Sequence, residues 1–391
     1  MLMVLMGCSM VVAAKKDEEK VRCIVLFKDN IDKKLVEDNN GEVLDTYDII
    51  PGLVADMTKS DIKELMKSDK VKSVEEDAEA EIIGDAKDEG NGNDRGGSPS
   101  PPAQTNPWGI LKINADDAWT KSKGTSIKVA VMDTGIDTGH SDLKVAGGIN
   151  VIGGSSYKDD NGHGTHCAGI IAALDNTIGV IGVGPGVSLY AIKALNKQGS
   201  GSYSNFIKGL DWAYSNGMQV VSMSFGGTST TTAFETACAK AKANGIVLVA
   251  AAGNSGGPII YPAAYSSVIA VGATDKTNTV ASWSCYGSQL DLVAPGVEIY
   301  STFTGNIYKT LSGTSMACPH VSGTVALLLY TVPGLRTDSN GIKYDTNGDN
   351  IWDPSEVQHC LEDTASDLGS GGKDSYYGYG LVNAQKAVGI A

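Results

Sequence analysis

Three short segments of this 391-residue chain hold side chains whose types and spacing suit nucleophilic chemistry. Gly313-Thr314-Ser315-Met316-Ala317-Cys318-Pro319-His320 runs straight into an apolar stretch at 321–330. A serine at a helix start lies where unpaired N–H groups and the positive dipole end favour developing negative charge. It becomes a nucleophile if a base reaches it, or it simply caps the helix. Asn161-Gly162-His163-Gly164-Thr165-His166-Cys167 places two of the five histidines at a second small-residue helix start. His-x-x-His can be a metal pair, but no HExxH and no third His or Cys ligand accompanies it. Asp133 follows the apolar segment 127–132 and precedes Thr134-Gly135. A carboxylate at that point can orient a histidine or shape a turn.

Such groups need rigid elements to bring them together. From residue 103 onward, strand-like segments at 127–132, 189–194, 219–223, 246–251 and 268–272 alternate with helical patterns near 163–174, 203–215, 231–243 and 314–330. Continuous apolar strands separated by helices predict an α/β fold, a parallel sheet covered on both faces. Active groups in such sheets gather at the carboxyl ends of the strands. Ahead of it, 21–28 alternates as a strand, 31–39 suits a short helix, and 43–57 holds strand-like runs broken by Pro51-Gly52. Thr58-Lys59-Ser60-Asp61 opens a second helix, and 71–83 reads as one closing strand. The order β-α-β-β-α-β predicts a small α+β ferredoxin-like module. Residues 84–102 lack any large apolar side chain and are rich in Gly, Pro and charge, so they read as an exposed linker open to cleavage.

An apolar content of 42% allows a substantial core. Half of the net charge of −14 falls on residues 15–83, and no basic stripe stands out, so nucleic acid is not an expected partner. Seven cysteines are widely spread without a CxxC pair, which fits neither a disulfide scaffold nor a zinc site. Buried small hydrophobes are the expectation for most of them. Residues 1–14 are almost wholly apolar and end in Val12-Ala13-Ala14, the pattern of a signal segment, and predict export. Leu5-Met6-Gly7-Cys8 also resembles a lipobox, which leaves anchoring through Cys8 open. After residue 14 no apolar run is long enough to span a bilayer.

Asp-Thr-Gly-Ile-Asp at 133–137, His-Gly-Thr-His-Cys-Ala-Gly at 163–169 and Gly-Thr-Ser-Met-Ala-Cys-Pro-His at 313–320 resemble the three active-site motifs of the subtilisin family, in its Asp…His…Ser order. The similarity runs from about Val21 to the C-terminus and includes Tyr-Tyr-Gly-Tyr-Gly-Leu-Val-Asn-Ala-Gln-Lys-Ala at 376–387. It implies a three-layer, subtilisin-like catalytic domain over 103–391 and a serine endopeptidase. Ser315 would be the nucleophile, His163 the general base, and Asp133 the group that holds the imidazole tautomer. His166 would be a packed structural histidine. Ala250-Ala251-Ala252-Gly253-Asn254 resembles the family's oxyanion segment, with Asn254 donating its amide alongside the Ser315 N–H. All three triad types are present, which argues against a catalytically silent binding scaffold, and His163 argues against the sedolisin type.

The same resemblance implies substrate contacts. Gly199-Ser200-Gly201 and Ser224-Phe225-Gly226 look like the two edges between which polypeptide substrates pair as a strand. The first specificity pocket would be walled by 224–227 and by Ala251 to Gly253. Ile260 aligns with its floor, which predicts a preference for medium apolar residues. Cys167 matches the free cysteine of the proteinase K branch, and Cys318 lies one turn after Ser315, so a disulfide between them waits on distances.

Structural calcium is implied twice. Gln104, Asp142 and Asn176, with the carbonyls of Leu174, Ile178 and Val180, resemble the family's tight site. Independently, Asp345, Asn347, Asp349, Asp353 and Glu356 stand at loop positions 1, 3, 5, 9 and 12, with the Ile351 carbonyl at 7, which is EF-hand loop spacing. Position 6 is Asn350, which tolerates the left-handed conformation better than most residues. Residues 15–83 resemble the family's propeptide, a chaperone and temporary inhibitor of its own enzyme. Ile83 would fill the first pocket with Ala80 further back, self-cleavage would fall at Ile83–Gly84, and the product would be a monomer.

Overall fold

The computed structural model describes residues 19–83 and 101–390. The signal segment, Cys8, Gly84 and most of the linker lie outside the described residues. The N-terminal module comprises β1 (Lys20–Phe27), α1 (Lys33–Asp38), β2 (Glu42–Thr46), β3 (Gly52–Thr58), α2 (Lys59–Leu65) and β4 (Val71–Glu76). Its sheet has the order β2-β3-β1-β4, the ferredoxin-like arrangement. Thr58 caps α2 by accepting from the Asp61 N–H. The expected closing strand over 71–83 is two strands. β4 stays in the module sheet, the chain turns at Asp77-Ala78, and β5 (Glu79–Ile82) leaves to join a different sheet.

The large domain begins with α3 (Trp108–Lys112) and α4 (Ala115–Ala118), then β6 (Lys128–Asp133), β7 (Val145–Asn150), α5 (His163–Ala172), β8 (Ser188–Lys193) and β9 (Ser200–Ser202). It continues with α6 (Tyr203–Ser215), β10 (Val220–Met223), β11 (Phe225–Gly226), α7 (Thr232–Ala243), β12 (Val247–Ala251) and β13 (Ile269–Thr274). It closes with β14 (Leu292–Pro295), β15 (Ile299–Phe303), β16 (Ile307–Leu311), α8 (Thr314–Leu329), α9 (Pro354–Thr364) and α10 (Ala384–Ala387). Seven strands form one parallel sheet in the order β14-β13-β12-β10-β6-β8-β7.

Alternation along each strand builds two cores. Val129 and Val131 of β6 face a core shared with α5 and α8, whereas Ala130 and Met132 face one shared with α6 and α7. The module sheet is likewise two-sided. Cys23, Val25 and Phe27 pack over α1 and α2, while Ile24 and Leu26 join the α6–α7 core of the large domain. The hydrophobic pattern does not reveal β7, whose Gly147 and Gly148 remove the apolar signal. A Cβ on Gly148 would collide with the Ala191 carbonyl, so close approach to β8 requires the glycine.

Candidate active site

Asp133 ends β6 at the carboxyl edge of the sheet and is fully buried. His163 is the first residue of α5, and its Nδ1 lies 2.9 Å from both Asp133 carboxylate oxygens. Bonding on both sides of the carboxylate places the proton on Nδ1 and leaves Nε2 as the basic face. Ser315 is the second residue of α8, 1% exposed. Its Oγ bonds the Ser224 carbonyl at 3.1 Å and the Ile83 carbonyl at 3.4 Å. The two helices pack on one another through Cys167, whose thiol donates to the Ser315 carbonyl at 3.4 Å.

That carbonyl is available for a reason written in the sequence. Pro319, four residues on, has no N–H to offer it. Ser224 Oγ (2.9 Å) and Cys167 Sγ replace the missing helical donor. The thiols of Cys167 and Cys318 are both free, so the structure contains no bridge between them. Cys318 instead lies 3.5 Å from Ser222 Oγ and 3.5 Å from the Val249 carbonyl. Burial pushes both thiols up, out of the range in which they would ionise. Asp133, His163 and Cys167 form the one three-membered group of potential metal ligands found among the described residues, but a thiol kept protonated is a poor ligand.

Asn254 follows β12, and its orientation is set by hydrogen bonding. Oδ1 accepts from Thr314 N (2.9 Å) and Thr314 Oγ1 (2.8 Å), which turns Nδ2 toward the Ile83 carbonyl at 3.5 Å. A Cβ on Gly313 would stand 3.0 Å from that nitrogen, so the glycine keeps the space open. Thr314 was not singled out by the sequence pattern, nor was Ser224 as a support for Ser315. Their partners are 60 and 91 residues away, beyond any local signal.

The cleft is a three-stranded antiparallel sheet in the order β11-β5-β9. Phe225 and Gly226 pair with Ile82 and Glu81, and Ser200, Gly201 and Ser202 pair with Glu81, Ala80 and Glu79. Ile82 N also donates to the Gly199 carbonyl at 2.8 Å. Both expected edges therefore hold one extended segment. Ile83 is 8% exposed, and Ile260 reaches between Gly226 and Gly253, its Cδ1 within 3.4 Å of where either glycine would carry a Cβ. Ala251 ends β12, and the carbonyl of the next residue, Ala252, accepts from Ile260 N at 3.1 Å.

His166 is fully buried, with Nε2 at 3.1 Å from the carbonyls of Ile299 and Lys309. Desolvation pushes its pKa down to about 3 and that of His320 down to about 4.

Farther out, the Gln104 head group meets the carbonyls of Leu174 (2.6 Å) and Val180 (3.2 Å). Asn176 bonds Asp142, which is buried and accepts from Val180 N. Burial raises the Asp142 carboxyl above its ordinary value. Ile178 bridges to Ala103, next to Gln104. In the 345–356 loop, Asp345 accepts from the N–H groups of Gly348 and Asn350, and Asn350 is left-handed (φ +63°). Asn347 accepts from Asp349 N, and Asp349 from Ile351 N. Asp353 and Glu356 form the capping box of α9, and Glu356 also accepts from Thr346.

A model of the subtilase family matches residues 124–380, and one of the peptidase inhibitor I9 family matches residues 12–82. The chain belongs to the subtilase family. It is 50% identical to subtilisin DY of Bacillus licheniformis over 292 residues, 73% of this chain and 99% of that protein. It is 41% identical to a thermostable alkaline protease of Halalkalibacterium halodurans over 96% of this chain and 94% of the relative. Subtilisin NAT of Bacillus subtilis subsp. natto is 40% identical over 96% of this chain and 92% of its own length. The chain is thus a subtilisin-type serine endopeptidase carrying an inhibitory I9 module at its N-terminus.

Proposed function

We propose that this subtilase is exported as a self-processing zymogen and cleaves polypeptides through Asp133, His163 and Ser315. The observation that carries this reading is the Ile83 carbonyl, which lies 3.4 Å from Ser315 Oγ and 3.5 Å from Asn254 Nδ2. Both distances are to its oxygen, so a single carbonyl meets the candidate nucleophile and the candidate oxyanion donor together, as a scissile carbonyl must. In the reaction Ser315 Oγ adds to the carbonyl carbon while its proton passes to His163 Nε2. Asp133 stabilises the imidazolium, and Asn254 with the Ser315 N–H receives the oxyanion. The imidazolium then protonates the leaving amine, and water repeats the sequence on the acyl-enzyme.

Residues 15–83 act as propeptide, 84–102 as linker, and 103–391 as the catalytic domain, with self-cleavage at Ile83–Gly84. A fluorophosphonate that labels wild type but not Ser315→Ala, together with loss of cleavage at Ile83–Gly84 in that variant, is the expected result. Cleavage of the Ser315→Ala chain at the wild-type rate would refute the assignment. Residues 1–14 serve as the signal segment, and no helix among the described residues is long and apolar enough to cross a membrane. The mature enzyme is a monomer, which size-exclusion chromatography with light scattering tests.

Ile260 makes the first pocket shallow, so medium apolar residues are cleaved fastest. Equal or faster cleavage after Lys or Glu in a peptide library would overturn that preference. Calcium is structural. Gln104, Asp142, Asn176 and the carbonyls of Leu174, Ile178 and Val180 suit a hard cation because every donor is oxygen and the carbonyls of Leu174 and Val180 already converge on one head group. The 345–356 loop supplies a second oxygen set through Asp345, Asn347, Asp349, Ile351, Asp353 and Glu356. Its left-handed Asn350 provides the turn that EF-hand position 6 needs.

A further inference from the structure

The first turn of α5 carries His163, yet its N-cap, Gly162, has no side chain to satisfy the opening N–H groups. Three side chains from outside the helix do so. His163 N donates to Asn161 Oδ1 at 3.1 Å, Gly164 N to Thr134 Oγ1 at 3.0 Å, and Thr165 N to Asp159 Oδ2 at 2.9 Å. Asp159 is the hub of this arrangement. Besides Thr165 N, its oxygens accept from Asn161 N, Gly162 N and Thr134 Oγ1, each at 2.9 Å, and from Thr165 Oγ1 at 2.5 Å. The carboxylate is 3% exposed. Through Thr134 it grips the residue after Asp133, and through Asn161, Gly162 and Thr165 it grips both sides of His163.

We infer that Asp159 is a positioning residue for hydrolysis: it locks the Asp133 segment to the His163 segment and adds to the support that Asp133 gives the imidazolium. This rests on reading His163 as the general base. The helix dipole of α5 points its positive end at His163 and disfavours an imidazolium there. An anion among the same N–H groups opposes that field. The other charged and titratable groups packed around His163 do not replace it. Asp133 is bonded to Nδ1, and His166 and Cys167 on α5 are held neutral by burial. From α8, Ser315 and the buried thiol of Cys318 add no charge. Lys158 pairs with Asp137 (3.5 Å), Lys193 on β8 pairs with Asp160 (2.6 Å), and Lys309 on β16 lies over the Phe303 ring.

The test uses the full chain after maturation, with an apolar peptide anilide as substrate. Asp159→Asn removes the charge, and its amide cannot accept the same set of five donors. It should lower kcat by about 10²-fold with KM little changed, and should move the acid limb of kcat/KM down by roughly half to one pH unit. Thr134→Val keeps the charge but cuts the tie to the Asp133 segment. It should lower kcat while leaving the acid limb in place. A purely structural Asp159 would lower Tm and leave both kcat and the acid limb at wild-type values, which would overturn the inference. If the Asn variant does not fold, wild-type kcat in Thr134→Val overturns it as well. His163→Ala is run in parallel. Wild-type hydrolysis by that variant refutes the general-base reading itself, whereas an inactive His163→Ala beside an unaffected Asp159→Asn refutes only the positioning role.

Discussion

Asn254 shows how much one side chain depends on its support. With both lone pairs of Oδ1 facing Thr314, only Nδ2 remains to meet a carbonyl in the cleft. Asn254→Ala should lower kcat by about 10²–10³, with little change in KM, a magnitude carried over from removal of a subtilisin's oxyanion-hole asparagine. The two buried histidines make a second prediction. His320 and His166 have folded pKa values of about 4 and about 3, below the unfolded value of about 6.5. The unfolded chain therefore binds more protons below that value, and stability is lost as pH falls from about 6.5 towards 4 and then 3. Thermal denaturation followed at pH 8, 6 and 4 should show a Tm somewhat lower at pH 6 than at pH 8 and much lower at pH 4; a constant Tm down to pH 4 would count against it. Ser315, His163 and Asp133 were legible in the sequence because their neighbours in the chain carry the pattern. Asp159, Thr134 and Thr314 were not, since what they do depends on partners that folding alone brings near.

Elements were legible where period and caps agree. The strands β6, β8, β10, β12 and β13 fall within a residue or two of their apolar runs, because a strand covered on both faces must be apolar throughout. Strands β7, β15 and β16 carry no such run, and that of β14 is only four residues long and ends in Pro295, which weakens the strand signal. Burial of β15 and β16 is partial, and β7 trades side chains for closeness to β8. The split between β4 and β5 was also missed, because an extended segment reads alike whichever sheet receives it. At the start of α9, Asp353 accepts from Ser355 N and Glu356 N while Glu356 reaches back to Asp353 N. Asp353→Ala, assayed with chelator present so that only the cap is read, should destabilise the protein by about 1 kcal/mol. An unchanged Tm would show the box to be dispensable.

At the scale of the whole molecule, the N-terminal module is held on the enzyme by carboxylates as well as by β5. Glu75 accepts from Thr232 N and Ala233 N at the start of α7, and Asp77 accepts from Ser204 N and Oγ at the start of α6, where helix dipoles favour anions. Asp211 of the enzyme accepts in turn from Asp48 N and Ile49 N. Glu75→Gln and Asp77→Asn in an otherwise intact chain should let the cleaved module leave sooner, seen as a shorter lag before activity appears; an unchanged lag would show that β5 alone sets retention. Excess chelator should lower Tm through the calcium ligands, and an unaltered melting curve would remove both proposed sites. The residues alone determined the chemistry: which side chains could attack, accept a proton or stabilise an anion, and that an α/β scaffold would carry them. Tertiary structure decided which partners steady them, because orientation and burial come from contacts between segments tens to hundreds of residues apart. The family resemblance already put Ile83 and Ala80 in the cleft, but tertiary structure decided the register, Ile82 and Glu81 against Phe225 and Gly226 and Glu79 to Glu81 against Ser200 to Ser202, since the pairing of an edge strand is settled by whichever backbone stands opposite.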